Sequence, residues 1–313
     1  AVSNFPMQRL GRTLLPLGLA TSGGGVFHGH SVPSARYRTP TRRGAASLLA
    51  HDARADIRPI GFVQSCWEQK FGAPRQGALA PDARGLLRLE LRDGLDAEHA
   101  TDGLEGYSHI WLIWLCSLNG HQATNSKVRV PRLRGGRAGI FATRTPFRPN
   151  PIGLSLVRLD RIDGATLHLS GIDLVNGTPV IDIKPYVPWY DAPRPLAGEQ
   201  PPLGGVRVPS WVPGAESLRL EVSFTSAAEE ALSLHSNHNS TRLLEGEALK
   251  STLRQSLEAD PRPLYRWRRQ QSGKESVAEY ELQVDGMLAS CRFERNCDGS
   301  ENVVVTSVAR LTS

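Results

Sequence analysis

Between residues 57 and 190 the chain is divided into seven short runs rich in β-formers, and this spacing restricts the fold more than any other feature. The runs are Ile60 to Cys66, Leu86 to Leu91, His109 to Leu115, Gly139 to Thr143, Leu154 to Ile162, Thr166 to Leu169 and Val180 to Ile183, with turn residues between them. In the second run Leu87, Leu89 and Leu91 alternate with Arg88, Glu90 and Arg92, the pattern of a strand with one buried and one wet face. Many short strands at close spacing predict a closed or nearly closed barrel. A brief helix is expected at Ala97 to Gly103, capped by Asp96. A dinucleotide-binding Rossmann unit is not expected. Gly23-Gly24-Gly25 lacks the G-x-G-x-x-G spacing, a following amphipathic helix and a distal ribose carboxylate.

The flanks read differently. Residues 1–55 are rich in Arg, Ser, Gly and Pro, carry no acidic residue before Asp52 and show no sustained periodicity, so a disordered leader is expected. Its Arg-rich, acid-poor composition also suits an organellar transit peptide. The expected location is therefore the cytoplasm, or a mitochondrion or chloroplast if the leader directs import. A barrel domain is assigned to residues 56–190 and a Pro/Gly-rich linker to 191–215. A smaller α+β domain is assigned to 216–310. It comprises a strand at Leu218 to Phe224, helices at Ser226 to Leu234 and Arg242 to Glu258, and strands near Val277 to Val284, Leu288 to Glu294 and Val303 to Val308. Leu243, Leu244, Ala248 and Leu257 are expected to share the apolar stripe of the second helix. The fold class is thus mainly β, a non-Rossmann barrel followed by an α+β unit.

Composition narrows the function classes. The chain has 313 residues and a formal charge of +6, with an isoelectric point near 9.4, so its surface mildly favours polyanions. The basic residues are mostly Arg, which suits forked contacts to phosphate or carboxylate. No apolar run approaches the ~18 residues of a membrane-spanning helix, so no membrane partner is expected. Cys66, Cys116, Cys291 and Cys297 form no C-x-x-C pair or zinc spacing, and neither His28 with His30 nor His235 with His238 has a clear third ligand. No metal is expected.

The densest cluster of chemistry-bearing residues is Phe141-Ala142-Thr143-Arg144-Thr145-Pro146-Phe147-Arg148-Pro149-Asn150-Pro151-Ile152-Gly153-Leu154-Ser155. Three prolines stiffen this loop, so Arg144, Arg148 and Asn150 are presented by a preorganised backbone. Upstream lie Pro74-Arg75-Gln76 and Glu105-Gly106-Tyr107-Ser108-His109-Ile110-Trp111; downstream lie Gly171 to Pro179 and Asp182-Ile183-Lys184-Pro185-Tyr186. Asp260-Pro261-Arg262-Pro263-Leu264-Tyr265-Arg266 follows in the C-terminal unit. In order and spacing these segments resemble the tRNA (adenine-37-N6) methyltransferase family, over about residues 57 to 295.

The resemblance implies a homodimeric barrel that binds S-adenosylmethionine and methylates N6 of threonylcarbamoyladenosine in the anticodon loop of certain tRNAs. The family's cofactor positions carry over to Pro74, Arg75, Gln76, Ser108, His109, Arg144, Leu154 and the turn Ile172, Asp173, Leu174 and Val175. Residue chemistry agrees, since Arg75 or Arg144 can grip the cofactor's carboxylate in a two-pronged bond. His109 and Asp173 are the candidates for removing the N6 proton. Expected substrate contacts are Arg148, Asn150, Lys184, Tyr186, Arg262, Tyr265 and Arg266, with Lys184 alternatively paired to Asp182. Two other readings stay open. One is a non-catalytic RNA-binding barrel, using Trp67, Trp111, Phe147 and Tyr186 to stack bases. The other is a methyltransferase acting on a different modified nucleotide.

Overall fold

The computed structural model describes residues 57–119, 125–130, 133, 136–193, 206–212, 219–234, 242–263, 278–297 and 299–311. The expectations for the leader, most of the proposed linker, Tyr265 and Arg266 lie outside these residues.

Six strands close a barrel in the order β1-β2-β7-β6-β3-β8: β1 (Gly61–Ser65), β2 (Arg84–Leu89), β3 (His109–Leu115), β6 (Ile152–Asp163), β7 (Thr166–Ser170) and β8 (Pro179–Pro185). All neighbours are antiparallel, and the barrel closes where Gly61 pairs with Val180 and Phe62 with Pro179. Alternation accounts for the interior. Val63, Leu87, Leu89, Ile110, Leu112, Val157, Leu159, Leu167 and Leu169 turn inward and are buried, while Phe62, Arg88 and Leu154 are exposed. Asp96 caps α1 (Ala97–Thr101) by accepting from the His99 amide at 2.9 Å.

One expected barrel strand is absent. Gly139 to Thr143 is instead the end of β5 (Arg137–Gly139), paired with β4 (Lys127–Arg129) in a separate two-stranded ribbon, followed by a 3-10 turn at Ile140–Ala142. Arg148 explains the turn: its guanidinium donates to the carbonyls of Ile140 at 3.0 Å and Thr143 at 2.9 Å and lies over the Phe141 ring. β8 leads into the one-turn helix α2 (Pro188–Asp191).

The C-terminal residues form a four-stranded sheet in the order β10-β11-β12-β9, from β9 (Glu221–Phe224), β10 (Ala278–Val284), β11 (Met287–Arg295) and β12 (Glu301–Arg310), with β9 parallel to β12. Helices α3 (Ser226–Leu234) and α4 (Gly246–Glu258) pack on it. The buried face of α4 is Leu249, Leu253 and Leu257 at helical spacing, with Thr252 and Ser256 between them; Ala248 is only partly covered. Asp285 and Gly286, both at positive φ, make the tight turn between β10 and β11. That turn docks on the barrel, with the Asp285 amide donating to the Cys66 carbonyl at 2.8 Å and the Gly286 amide to Glu68 at 2.5 Å. One hydrophobic cluster runs through barrel and sheet alike. Within it burial pushes the thiols of Cys66 and Cys291 up to about 12, so both are neutral packing residues at physiological pH.

Candidate functional site

Three segments from distant parts of the sequence meet. They are the loop running from Gly72 into the 3-10 turn Gly77–Leu79, the turn after β7, and the proline-rich loop after β5. A Cβ on Gly77 would stand 1.9 Å from the Gly171 carbonyl oxygen, so the first two segments touch backbone to backbone and glycine is required. Arg144, in the third, donates to the side-chain oxygen of Gln76, whose amide nitrogen donates to the Arg75 carbonyl at 2.6 Å.

Asp173 stands beside this contact. Burial pushes its carboxyl above the ordinary range, opposed by the Ser155 hydroxyl, its own backbone, the Arg144 charge and the Gly77 backbone, which favour the ionised form. Its Oδ1 atom is buried without a hydrogen-bond partner. Ser155 is itself fixed, accepting from Trp114 Nε1 at 3.1 Å. The Trp114 ring occupies the space a Cβ on Gly153 would need, 2.1 Å from the ring's Cε2. Ser155, Trp114 and Gly77 therefore join this cluster, although sequence reasoning gave them no role. The one available signal was Gly77 directly following Arg75-Gln76.

The sequence-predicted residues divide into groups. Gln76, Arg144 and Asp173 are together, and Arg75 is exposed on the same loop. Ile172 and Leu174 turn their side chains fully into the core, and the Ile172 carbonyl accepts from Trp67 Nε1 at 2.7 Å. From this turn a ligand can meet only Asp173, Val175 or the backbone. Pro74 is likewise buried.

Ser108 and His109 form a second group, with Ser108 Oγ 2.9 Å from His109 Nδ1. Tyr186 packs edge-on against His109 and Trp111. In the β3–β6 register Leu112 faces Ser155 whereas His109 faces Arg158. Three residues of strand, ~10 Å, thus separate the two groups. Leu154 faces outward and is 52% exposed.

Among the expected substrate contacts, Asn150 is exposed and Lys184 pairs with Asp182 at 2.9 Å, both side chains about half open to solvent. Two expectations are corrected. Arg148 is turned into its own loop, holding the carbonyls described above. Arg262 is 3% exposed, bound to Asp260 at 2.8 Å and Glu301 at 2.6 Å, with its guanidinium 3.9 Å from the centre of the Phe293 ring. It is a buried structural ion, out of reach of an RNA phosphate. Trp67 is fully buried too, which removes it from the base-stacking surface of the non-catalytic reading. Among the described residues no three His, Cys, Asp or Glu side chains are grouped to hold a metal ion, and no helix is long and apolar enough to cross a membrane.

The fold is thus a closed antiparallel barrel of non-Rossmann type, with a glycine-tightened loop, Arg144 and the Asp173 carboxyl, one oxygen of which is buried without a partner, brought together at one place. The family described as tRNA-methyltransferase O N-terminal domain matches residues 62–192. A curated Escherichia coli (strain K12) relative, "tRNA (adenine(37)-N6)-methyltransferase", is 37% identical over 242 residues, covering 75% of this chain and 94% of its own. A Pseudomonas aeruginosa relative, "Putative S-adenosylmethionine-dependent methyltransferase RcsF", is 52% identical over 137 residues, 44% of this chain and 58% of its own. A crystal structure of TrmO from Pseudomonas aeruginosa superposes with a TM-score of 0.56 at 31% identity, covering 81% of this chain and 97% of that one. The chain belongs to the tRNA (adenine(37)-N6)-methyltransferase family. It spans 32 to 36% of the length of the mammalian relatives it matches.

Proposed function

We propose that this protein transfers a methyl group from S-adenosylmethionine to N6 of adenosine 37 in tRNA, and that the acceptor carries a threonylcarbamoyl group. The observation that carries this reading is the buried, unpartnered Oδ1 of Asp173 beside Arg144 and Gln76. A ligand with both a carboxylate and amino groups fits that pair: Arg144 holds the carboxylate and Asp173 accepts from an amino group. When bound, S-adenosylmethionine supplies a methyl group on a positively charged sulfur with a good leaving group. The chain's own task is alignment of donor and acceptor, together with removal of the N6 proton. We assign that proton to His109. With Nδ1–H donating to Ser108 Oγ, Nε2 is left as the acceptor. Exposed Phe141, Ile152 and Leu154 supply an apolar outer surface on which a second copy can pack, giving the homodimer. The tRNA contact through Tyr265 and Arg266 is retained as part of this reading.

The test is incubation with labelled S-adenosylmethionine and tRNA lacking the modification, followed by nucleoside digestion and mass spectrometry. Label in threonylcarbamoyladenosine is the expected result. Label in another nucleoside would move the acceptor, and tRNA retention without label would favour a non-catalytic binder.

Arg144→Ala is expected to weaken S-adenosylmethionine binding by about 1.5–3 kcal/mol, the usual worth of a charge-assisted hydrogen bond, as read by calorimetry. Wild-type affinity in that variant would reject the cofactor assignment.

Asp173→Asn tests the electrostatics. The folded-state carboxyl titrates above its ordinary 3.8, so as pH rises the unfolded chain gives up this proton first. Folded stability therefore falls as pH climbs from that value through the folded pKa, and the carboxylate burdens the fold at neutral pH. The Asn variant should melt higher than wild type at pH 7, with the difference closing near pH 4. A variant melting below wild type at both pH values would refute this.

A further inference from the structure

We propose that helix α4 of the C-terminal unit positions the barrel's cofactor loop, with Ser256 as the positioning residue. The inference rests on the reading of Gln76 and Arg144 as part of the S-adenosylmethionine site.

The loop between β1 and β2 is held at two points, one on each side of Pro74-Arg75-Gln76. At the first, Ser256, 1% exposed, donates its hydroxyl to the Gly72 carbonyl at 2.6 Å. Gly72 has φ +107, and a Cβ there would stand 2.4 Å from Leu282 Cδ1, so this residue is pressed between α4 and β10. At the second, the Asp82 amide donates to Gln255 Oε1 at 3.1 Å. The Asp82 carboxylate in turn accepts from Ser251 Oγ at 2.5 Å and Gln255 Nε2 at 2.7 Å. Ser251 and Gln255 are four residues apart and share one helix face. The next residue, Ala83, accepts from the amides of Gly171 at 2.9 Å and Ile172 at 3.4 Å. The second anchor thereby fixes the start of the Asp173 turn as well. A groove of about 230 Å³ runs between the Lys70 to Arg75 segment and Pro261 to Pro263, so along it the loop and the C-terminal unit are not fully packed together. There the two polar anchors add to the backbone contact of Gly77 with Gly171 in fixing its position. A loop of this length held at one end only samples many conformations, and ordering it on ligand binding lowers affinity.

The experiment uses the full chain and compares Ser256→Ala, Ser256→Thr, Gln255→Leu and Arg144→Ala. Steady-state kinetics are run against S-adenosylmethionine and tRNA separately, with hydrogen exchange of the loop amides. Ser256→Ala is expected to raise KM for S-adenosylmethionine about fivefold, as one buried hydrogen bond is lost, with KM for tRNA unchanged and kcat within about twofold. Ser256→Thr, which keeps the hydroxyl, restores it. In the Ala variant the amides of Leu79 and Ala80 exchange faster while those of β10 to β12 keep their protection. Gln255→Leu, at a partly exposed position, raises the same KM about threefold by releasing the Asp82 anchor, and it decides the question if Ser256→Ala does not fold. Unchanged KM for S-adenosylmethionine in the α4 variants, with Arg144→Ala still raising it, overturns the positioning role and leaves the site standing. If Arg144→Ala also changes nothing, the site assignment fails and the positioning role falls with it.

Discussion

Arg262→Ala is expected to lower the unfolding free energy by about 3–5 kcal/mol, the cost of removing one member of a buried ion pair. The guanidinium bridges Asp260 and Glu301 and covers the Phe293 face. Truncation removes the Arg262 charge from two carboxylates, at 31% and 13% side-chain exposure, and opens a void against the ring. Urea denaturation followed by tryptophan fluorescence measures the loss as a fall in midpoint at unchanged slope. Arg262→Lys should recover only part of it, because a single ammonium cannot fork to both acids. A stable Ala variant with impaired tRNA kinetics would return Arg262 to the RNA-binding surface. Any loss of activity in this variant has to be read at a temperature where it is still folded.

Gly77→Ala should cost about a hundredfold in kcat/KM, the scale of a 1 Å displacement among reacting groups. The added methyl carbon would lie 1.9 Å from the Gly171 carbonyl oxygen, and both partners are backbone. Side-chain rotation cannot relieve that overlap. Either the Arg75-Gln76 loop lifts or the Asp173 turn recedes, and in both cases Arg144 loses its alignment with the buried carboxylate. Overpacking of this kind also costs about 1–3 kcal/mol of stability, so the variant should melt lower yet remain folded. Activity within threefold of wild type would show that the two segments do not work as one site. Gly106→Ala is the matched control: its Cβ would meet nothing within 4 Å.

The barrel was legible because alternation reports burial directly: Leu87 and Leu89 are inside and Arg88 outside, as their pattern indicates. The Asp96 cap and the helix at Ser226–Leu234 were legible for equally local reasons. Gly139 to Thr143 has the apolar content of a strand, yet two carbonyls of that stretch are claimed by Arg148, a residue outside the window that propensity considers. Arg262 misleads in the same way. An arginine between two prolines reads as surface, and only the fold brings Glu301 and Phe293 to it. Motif resemblance named Gln76, Arg144 and Asp173, which the fold brings together, but not that Ile172 and Leu174 turn fully into the core. Ser155 and Trp114 escaped because their roles depend on the register between β3 and β6, which no single strand encodes.

The order in which the chain is synthesised gives the contact between α4 and the barrel loop a consequence in time. Gly72 and Ser256 are 184 residues apart, and Asp82 and Gln255 are 173 apart. At ~5–20 residues per second, the β1–β2 loop leaves the ribosome roughly 10 to 40 seconds before the helix that holds it, and β8, the last barrel strand, only about 4 to 14 seconds before it. All six barrel strands lie before α4 in the chain and are synthesised ahead of the brace. A nascent chain therefore passes through an interval in which every barrel strand has been made but the loop lacks its anchors on α4, and competence to bind a ligand is expected late in translation. Arrested chains of graded length would show that delay as a step in ligand binding once α4 and the β10–β11 turn have cleared the exit tunnel.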